Sequence, residues 1–216
     1  MAGVVTVTAL KSLDAERVSV TLDTGEEIQA TLSLIAQLRL YRGCALTEDA
    51  LDTLRSQAEF SRWRSRAMEL LSRRAMSARE LQDKLRQKGA DEETAARCVR
   101  WLEEQRFLDD ESYAAAVVRH YAAKGYGPGR MQAELRRRGV PKDYWDAALA
   151  QRPANENKID ALIAQRLRDP SDREQVRKLT AALFRRGFGW DEIREALNRF
   201  RAEAEEEDEG WKKTLH

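Results

Sequence analysis

Three glycines, Gly89, Gly139 and Gly187, stand at intervals of 50 and 48 residues, and each closes a stretch of one design. The stretches read ARELQDKLRQKG, GRMQAELRRRG and VRKLTAALFRRG. Leu85, Leu135 and Leu183 lie four residues before the glycine, and Leu81, Met131 and Leu179 eight before, the spacing of one helix face. Lys88, Arg138 and Arg186 immediately precede it, where a cation meets the negative end of the helix dipole. The glycine supplies the left-handed conformation that ends a helix. Ten residues further on, Val99, Leu149 and Leu197 predict the apolar face of a following helix. A period near 50 marks an array of supersecondary units. Each unit is predicted as three short helices, with first helices over about 59–75, 110–124 and 155–168. One such unit has little core of its own, so neighbours must pack together to bury a continuous seam.

The composition agrees. Charged residues make up 35% of the 216 and glycine and proline are few, as in chains of amphipathic helices. Only the N-terminal end reads otherwise. Val5, Val7, Val18, Val20, Leu22, Ile28 and Ala30 alternate with period two around an Asp-Thr-Gly turn, which predicts a β-hairpin with a further strand at the front. SLIAQLRLYRG then predicts one short helix stopped by Gly43, and Thr47 stands as an N-cap. The expected fold is mainly α: tandem three-helix repeats in an elongated curved array with a small N-terminal β-hairpin element. The expected divisions are 1–46 (hairpin plus short helix), 47–107, 108–152 and 153–201 (the three repeats), and 202–216, an acidic tail read as solvated.

Ser77 with Glu80 and Ser171 with Glu174 fit the capping-box spacing, and Pro128 and Pro141 suit a first helical turn. GYGPGRM at 125–131 lacks the lysine and hydroxyl residue of a phosphate loop and has no strand before it, so Gly125 is expected to stop one helix and Gly127 to cap the next. His120 and His216 are the two histidines, and no catalytic grouping can be built on them. The carboxylates of Asp109, Asp110 and Glu111 begin a helix, where capping explains them more simply than metal binding. Cys44 and Cys98 are expected to be reduced packing residues. No catalytic residue, metal or cofactor is expected. With no leader and no long apolar run, a cytoplasmic protein without membrane contact is expected.

Several of these segments resemble a known family. MSARELQDKLRQKG, the Leu-Asp-Asp at 108–110, the Lys-Gly-Tyr-Gly-Pro at 124–128 and the Glu-Leu and Arg-Gly at 134–139 are similar to the signature of the RecX family, bacterial regulators of the RecA recombinase. The resemblance is strong over about 60–151 and weaker over 152–200. It implies a curved repeat array that lies in the groove of the RecA–single-stranded DNA filament. There it would restrain ATP hydrolysis and strand exchange and reach the DNA through the filament, without chemistry of its own. A monomer is expected.

The residues suggest a contact surface independently. Arg86 and Lys88, Arg136, Arg137 and Arg138, and Arg185 and Arg186 fall at equivalent places in the last turn of the middle helices and would form a basic ladder. Lys124, Tyr126 and Arg130 complete the candidate partner-binding set, Tyr126 as a surface aromatic between two glycines. Glu134 can pair with Arg138 at i,i+4, whereas Arg136 and Arg137 have no acid at that spacing. Trp101, Phe107, Tyr113 and Trp145 are expected in packed faces. The competing readings are a nucleic-acid binder acting without RecA through the same ladder, and a metal-dependent hydrolase using Asp109, Asp110 and Glu111.

Overall fold

The computed structural model describes residues 4–152 and 156–214, with the backbone alone for 156–157 and 207–214. Val5–Ser12 (β1), Arg17–Leu22 (β2) and Glu27–Thr31 (β3) form an antiparallel meander, and Ala45–Leu46 (β4) adds to its other edge, giving the order β3-β2-β1-β4. Period-two alternation sets the register. Val18 faces Ala30 and Val20 faces Ile28, so the buried residues share one side. Gly25, at φ +84, closes the predicted turn, and its N–H donates to the Leu22 carbonyl at 3.0 Å.

The helix after the sheet is shorter than its sequence predicts. Leu32–Gln37 (α1), capped by the Thr31 hydroxyl, ends well before Gly43. Arg39, at φ +50, turns the chain, and Gly43, at φ +92, instead opens β4, where its N–H donates to the Val7 carbonyl at 2.8 Å. The pull toward β1 is a tertiary contact that local sequence does not encode.

Ten α-helices are present among the described residues. Glu48–Arg73 (α2), capped by Thr47, packs Leu51 and Leu54 into the sheet core and buries Phe60, Trp63, Ala67 and Leu70 further along. Ala78–Gln87 (α3) and Glu92–Glu104 (α4) follow. The second repeat is Asp110–Ala123 (α5), Pro128–Arg137 (α6) and Trp145–Ala150 (α7), the last preceded by one 3₁₀ turn. The third is Glu156–Arg166 (α8), Arg173–Arg185 (α9) and Trp190–Thr214 (α10). The α9 cap is Asp172, whose carboxylate accepts from Glu174 and Gln175 N–H; Ser171, the expected cap, instead hydrogen-bonds Asp169. The acidic run at 203–210, expected as a tail, is helical backbone within α10, with its side chains from 207 outside the described residues. His216 also lies outside them.

The chain divides into two compact units: residues up to Met76 with Glu80–Leu108, and Ser77–Arg79 with Asp109 onward. In the first, Val7, Val20, Leu22, Leu34 and Leu54 center one core, and Leu81, Leu85, Cys98 and Leu102 are fully buried in the helical part. In the second, Met131, Leu135 and Val118 anchor one core and Ile163, Leu183 and Ile193 another. The predicted leucine and methionine positions are all buried; Leu149 alone among the following-helix positions is half-buried.

Candidate partner-binding surface

The middle helices end alike. Gly89, Gly139 and Gly187 have φ of +102, +71 and +87. In each, the residue after the glycine returns its N–H to the leucine carbonyl five residues back: Ala90 to Leu85 at 3.0 Å, Val140 to Leu135 at 3.1 Å, Phe188 to Leu183 at 3.2 Å. This closure satisfies carbonyls left free at a helix end and buries the returning side chain. It also places the preceding cations in the last turn.

Those cations do not share one environment. Arg136, Arg137 and Arg185 are exposed, as are Arg86, Lys88, Lys124 and Arg130. Arg138 and Arg186 are half-buried and turned to internal work. Arg138 donates to Glu134 Oε1 at 3.2 Å and to the Tyr113 hydroxyl at 2.7 Å. Arg186 reaches the Gly125 carbonyl at 3.5 Å and lies 5.8 Å from the Tyr126 ring. Arg137, which has no acid at i,i+4, instead binds Glu134 at i,i+3, its Nε 2.9 Å from Oε1. The Arg137 guanidinium holds the buried Glu134 carboxyl below its ordinary range, against the cost of burial. Arg86 pairs with Glu92 at 2.9 Å, and Arg136 lies over Trp145 at 5.6 Å.

Tyr126 is half-buried rather than free at the surface. Its ring centroid is 5.5 Å from that of Tyr121, and Arg130 stands 6.0 Å away. Phe107 departs from the packing expected of it: it is 54% exposed and stacks on Trp101.

The glycine loop is occupied by backbone. Gly127 N–H donates to the Arg186 carbonyl and Gly129 N–H to the Gly187 carbonyl, each at 2.9 Å. A Cβ on Gly127 would collide with Gly187 and Phe188 backbone, so the glycine is needed for close approach. Two amides of the loop are thereby taken up by backbone rather than left for a phosphate. At the corresponding place one repeat earlier, the Ser77 hydroxyl donates to the Arg138 carbonyl, and Ala78 N–H donates to Asp110 Oδ1 at 2.9 Å. Pro128, which matches Ala78, has no N–H and needs no such acceptor.

Two of the three clustered carboxylates, Asp109 and Asp110, accept backbone N–H groups. Asp109 caps α5, accepting from Ser112 N–H at 2.9 Å, and burial pushes the Asp110 carboxyl up, countered by the Ala78 N–H. Among the described residues no group of three His, Cys, Asp or Glu side chains could hold a metal ion. Both cysteines are free and buried, and burial pushes the Cys98 thiol up to about 11.

Sequence reasoning missed the seam made by Ser77, Asp110, Gly127 and Gly129, whose partners lie in a neighbouring repeat. It also missed Phe184 and Trp190, exposed large hydrophobics of the third repeat. Comparing the three repeats position by position, three residues either side of each glycine, would have found the pair.

Fold and surface together define a tandem three-helix repeat protein with cations exposed at the ends of its middle helices. Family models for the first, second and third three-helix domains of RecX match residues 64–102, 109–149 and 159–197. The chain belongs to the RecX family. Regulatory protein RecX of Xanthomonas campestris pv. campestris (strain B100) is 41% identical over 133 residues, covering 60% of this chain and 82% of that protein. Regulatory protein RecX of Bacillus subtilis (strain 168) is 26% identical over 220 residues, covering 98% and 83%. A crystal structure of regulatory protein RecX matches with a TM-score of 0.72 at 23% identity, over 90% of this chain and 99% of that one. RecX from Lactobacillus salivarius matches with a TM-score of 0.60 at 21% identity, over 67% and 97%. These two likenesses concern the fold.

Proposed function

We propose that this protein is a regulator without chemistry of its own that binds the RecA–single-stranded DNA filament and mainly restrains ATP hydrolysis and strand exchange in DNA repair and recombination. The observation that carries the reading is the match of all three helical repeats to successive RecX domains. The exposed cations at the helix ends supply a physical means. Lys88, Arg136 and Arg185 face solvent, where they can meet acidic groups or phosphates of a filament and speed encounter at low salt. Among the described residues no helix is long and apolar enough to cross a membrane, and the reading places the protein in the cytoplasm with its filament.

The test is ATP turnover and strand exchange by purified RecA on single-stranded DNA, with and without this protein. Both should fall as it approaches stoichiometric amounts; unchanged rates there overturn the reading. Reversing Lys88, Arg136 and Arg185 to Glu should weaken filament binding, because these side chains are exposed. Arg138 is unsuited to that test, since its loss would disturb Glu134 and Tyr113.

A further inference from the structure

The three repeats carry different chemistry at one pair of positions, three residues before and three after the helix-ending glycine. In the first repeat these are Arg86 and Glu92, an ion pair at 2.9 Å. In the second they are Arg136 and Lys142. In the third they are Phe184 and Trp190, whose rings stack with centroids 6.0 Å apart and planes 9° apart. These two side chains are 46% and 57% exposed. Since the first repeat closes the same turn with a solvated ion pair, the fold does not require aromatic rings there. A stacked pair left in water offers a planar apolar face that a flat ligand could cover.

The pair lines a groove of about 1160 Å³, bounded by α9, α10 and the loop before α9. Arg168, Arg173, Arg177 and Arg201 line the same groove, and all four are exposed. Along α9, Arg173, Arg177 and Phe184 follow at steps of four and seven residues, which keeps them on one face. Among the described residues none of the four arginines forms an ion pair, in contrast to Arg194 and Arg199 of the same repeat. The groove's acids are Asp169 and Glu205, and Asp169 is held by the Ser171 hydroxyl at 2.7 Å. Cations therefore outnumber acids two to one beside a planar apolar platform.

We propose that this groove binds single-stranded nucleic acid, an unpaired base stacking on Phe184 and Trp190 while flanking phosphates meet Arg173, Arg177 and Arg201. Every base has a π-face, so the platform accepts any sequence, but only a strand whose bases are free to leave the stack. An acidic peptide would satisfy the arginines and leave the rings unused. The inference goes beyond filament regulation, because the groove takes the strand directly and needs no recombinase.

The experiment is fluorescence anisotropy of a labelled oligo-dT titrated with the full chain, without recombinase. The decisive variant is Phe184→Arg with Trp190→Glu, which installs the first repeat's ion pair and leaves net charge unchanged; its helical circular dichroism and melting transition verify the fold. Affinity should fall about tenfold or more, the loss expected for one stacked base. Arg173→Gln with Arg177→Gln should flatten the slope of log K against log salt by about 1.4, for two phosphates released. A folded Phe184→Arg/Trp190→Glu protein that binds oligo-dT as tightly as the parent overturns the proposal. So does an unchanged salt slope, or polyglutamate of matched charge competing as well as unlabelled oligo-dT, which would assign the groove to an acidic protein segment. RecA ATP turnover on the same proteins separates the two readings. A parent that binds oligo-dT yet leaves turnover unchanged sinks filament regulation alone; a parent that lowers turnover, with the aromatic exchange leaving oligo-dT binding intact, sinks the groove alone.

Discussion

At the scale of single residues, Glu134 shows how a charge run acquires different roles. Its buried carboxylate takes hydrogen bonds from Arg137 and Arg138, which leaves Arg136 as the member of the triplet it does not hold. Glu134→Gln should lower stability at pH 7 by about 1–3 kcal/mol, the range for weakening a partly solvated charged hydrogen bond. The pH dependence fixes the cause. The folded pKa lies below the ordinary 4.5, so the ionised group's contribution is full above that value and is lost as pH falls through the lower one. The difference between parent and variant, from urea unfolding at several pH values, should therefore shrink in acid; a constant difference would assign the effect to packing. Asp110 runs in the opposite direction. Burial raises its carboxyl, so the ionised form carries a penalty that fades as pH falls toward the ordinary 3.8. Asp110→Asn, whose amide oxygen still accepts from Ala78 N–H, should leave stability at pH 7 unchanged or higher. Asp110→Ala should cost about 1–3 kcal/mol by stranding that N–H. The sequence made Asp109 readable as a cap, because capping spans three residues. It could not show Arg138 meeting Tyr113, 25 residues upstream, so the ladder looked more uniform than it is.

At the scale of elements, three helix-ending glycines share a conformation and differ in what surrounds them, which separates two energies. A Cβ on Gly89 would meet nothing within 4 Å, so Gly89→Ala should cost only left-handed backbone strain, about 1–2 kcal/mol. On Gly187 the same methyl would also strike the Arg130 backbone, and Gly187→Ala should cost distinctly more. Gly127, at φ −85, has no such strain, and Gly127→Ala therefore isolates the seam. The order of denaturation midpoints should put Gly187→Ala lowest. Equal losses at Gly89 and Gly187 would deny the seam any share. The helices themselves were legible from apolar spacing and terminal glycines, since both are local. Gly43 was misread as a stop because β4 pairs with Val5 and Thr6, and Ser171 because Asp172 beside it is an equally good cap. The close approach at Gly127 has its partner 59 residues away, beyond any local pattern.

At the scale of the whole molecule, 38 cations nearly cancel 37 anions, so what distinguishes the repeats is their local cores and surfaces rather than a global field. Each of the two compact units has its own buried apolar set: the sheet core around Val20 and Leu54 in one, the third-repeat core around Leu183 and Ile193 in the other. Stability in such a chain is close to a sum of local terms and nearest-neighbour interfaces, so opening need not be global. Leu183 is 1% exposed, and Leu183→Ala should remove about 2–5 kcal/mol from its own core. Hydrogen exchange read by mass spectrometry should then show lost protection in α8, α9 and α10. The amides of β1, β2 and β3 should exchange as in the parent, because no side chain of that sheet core belongs to the third-repeat core. Equal deprotection of strands and helices would mean that the chain opens as one cooperative body. Local opening would instead let the third repeat's groove respond to a ligand while the sheet stays closed, and added oligo-dT should restore protection in α9 first.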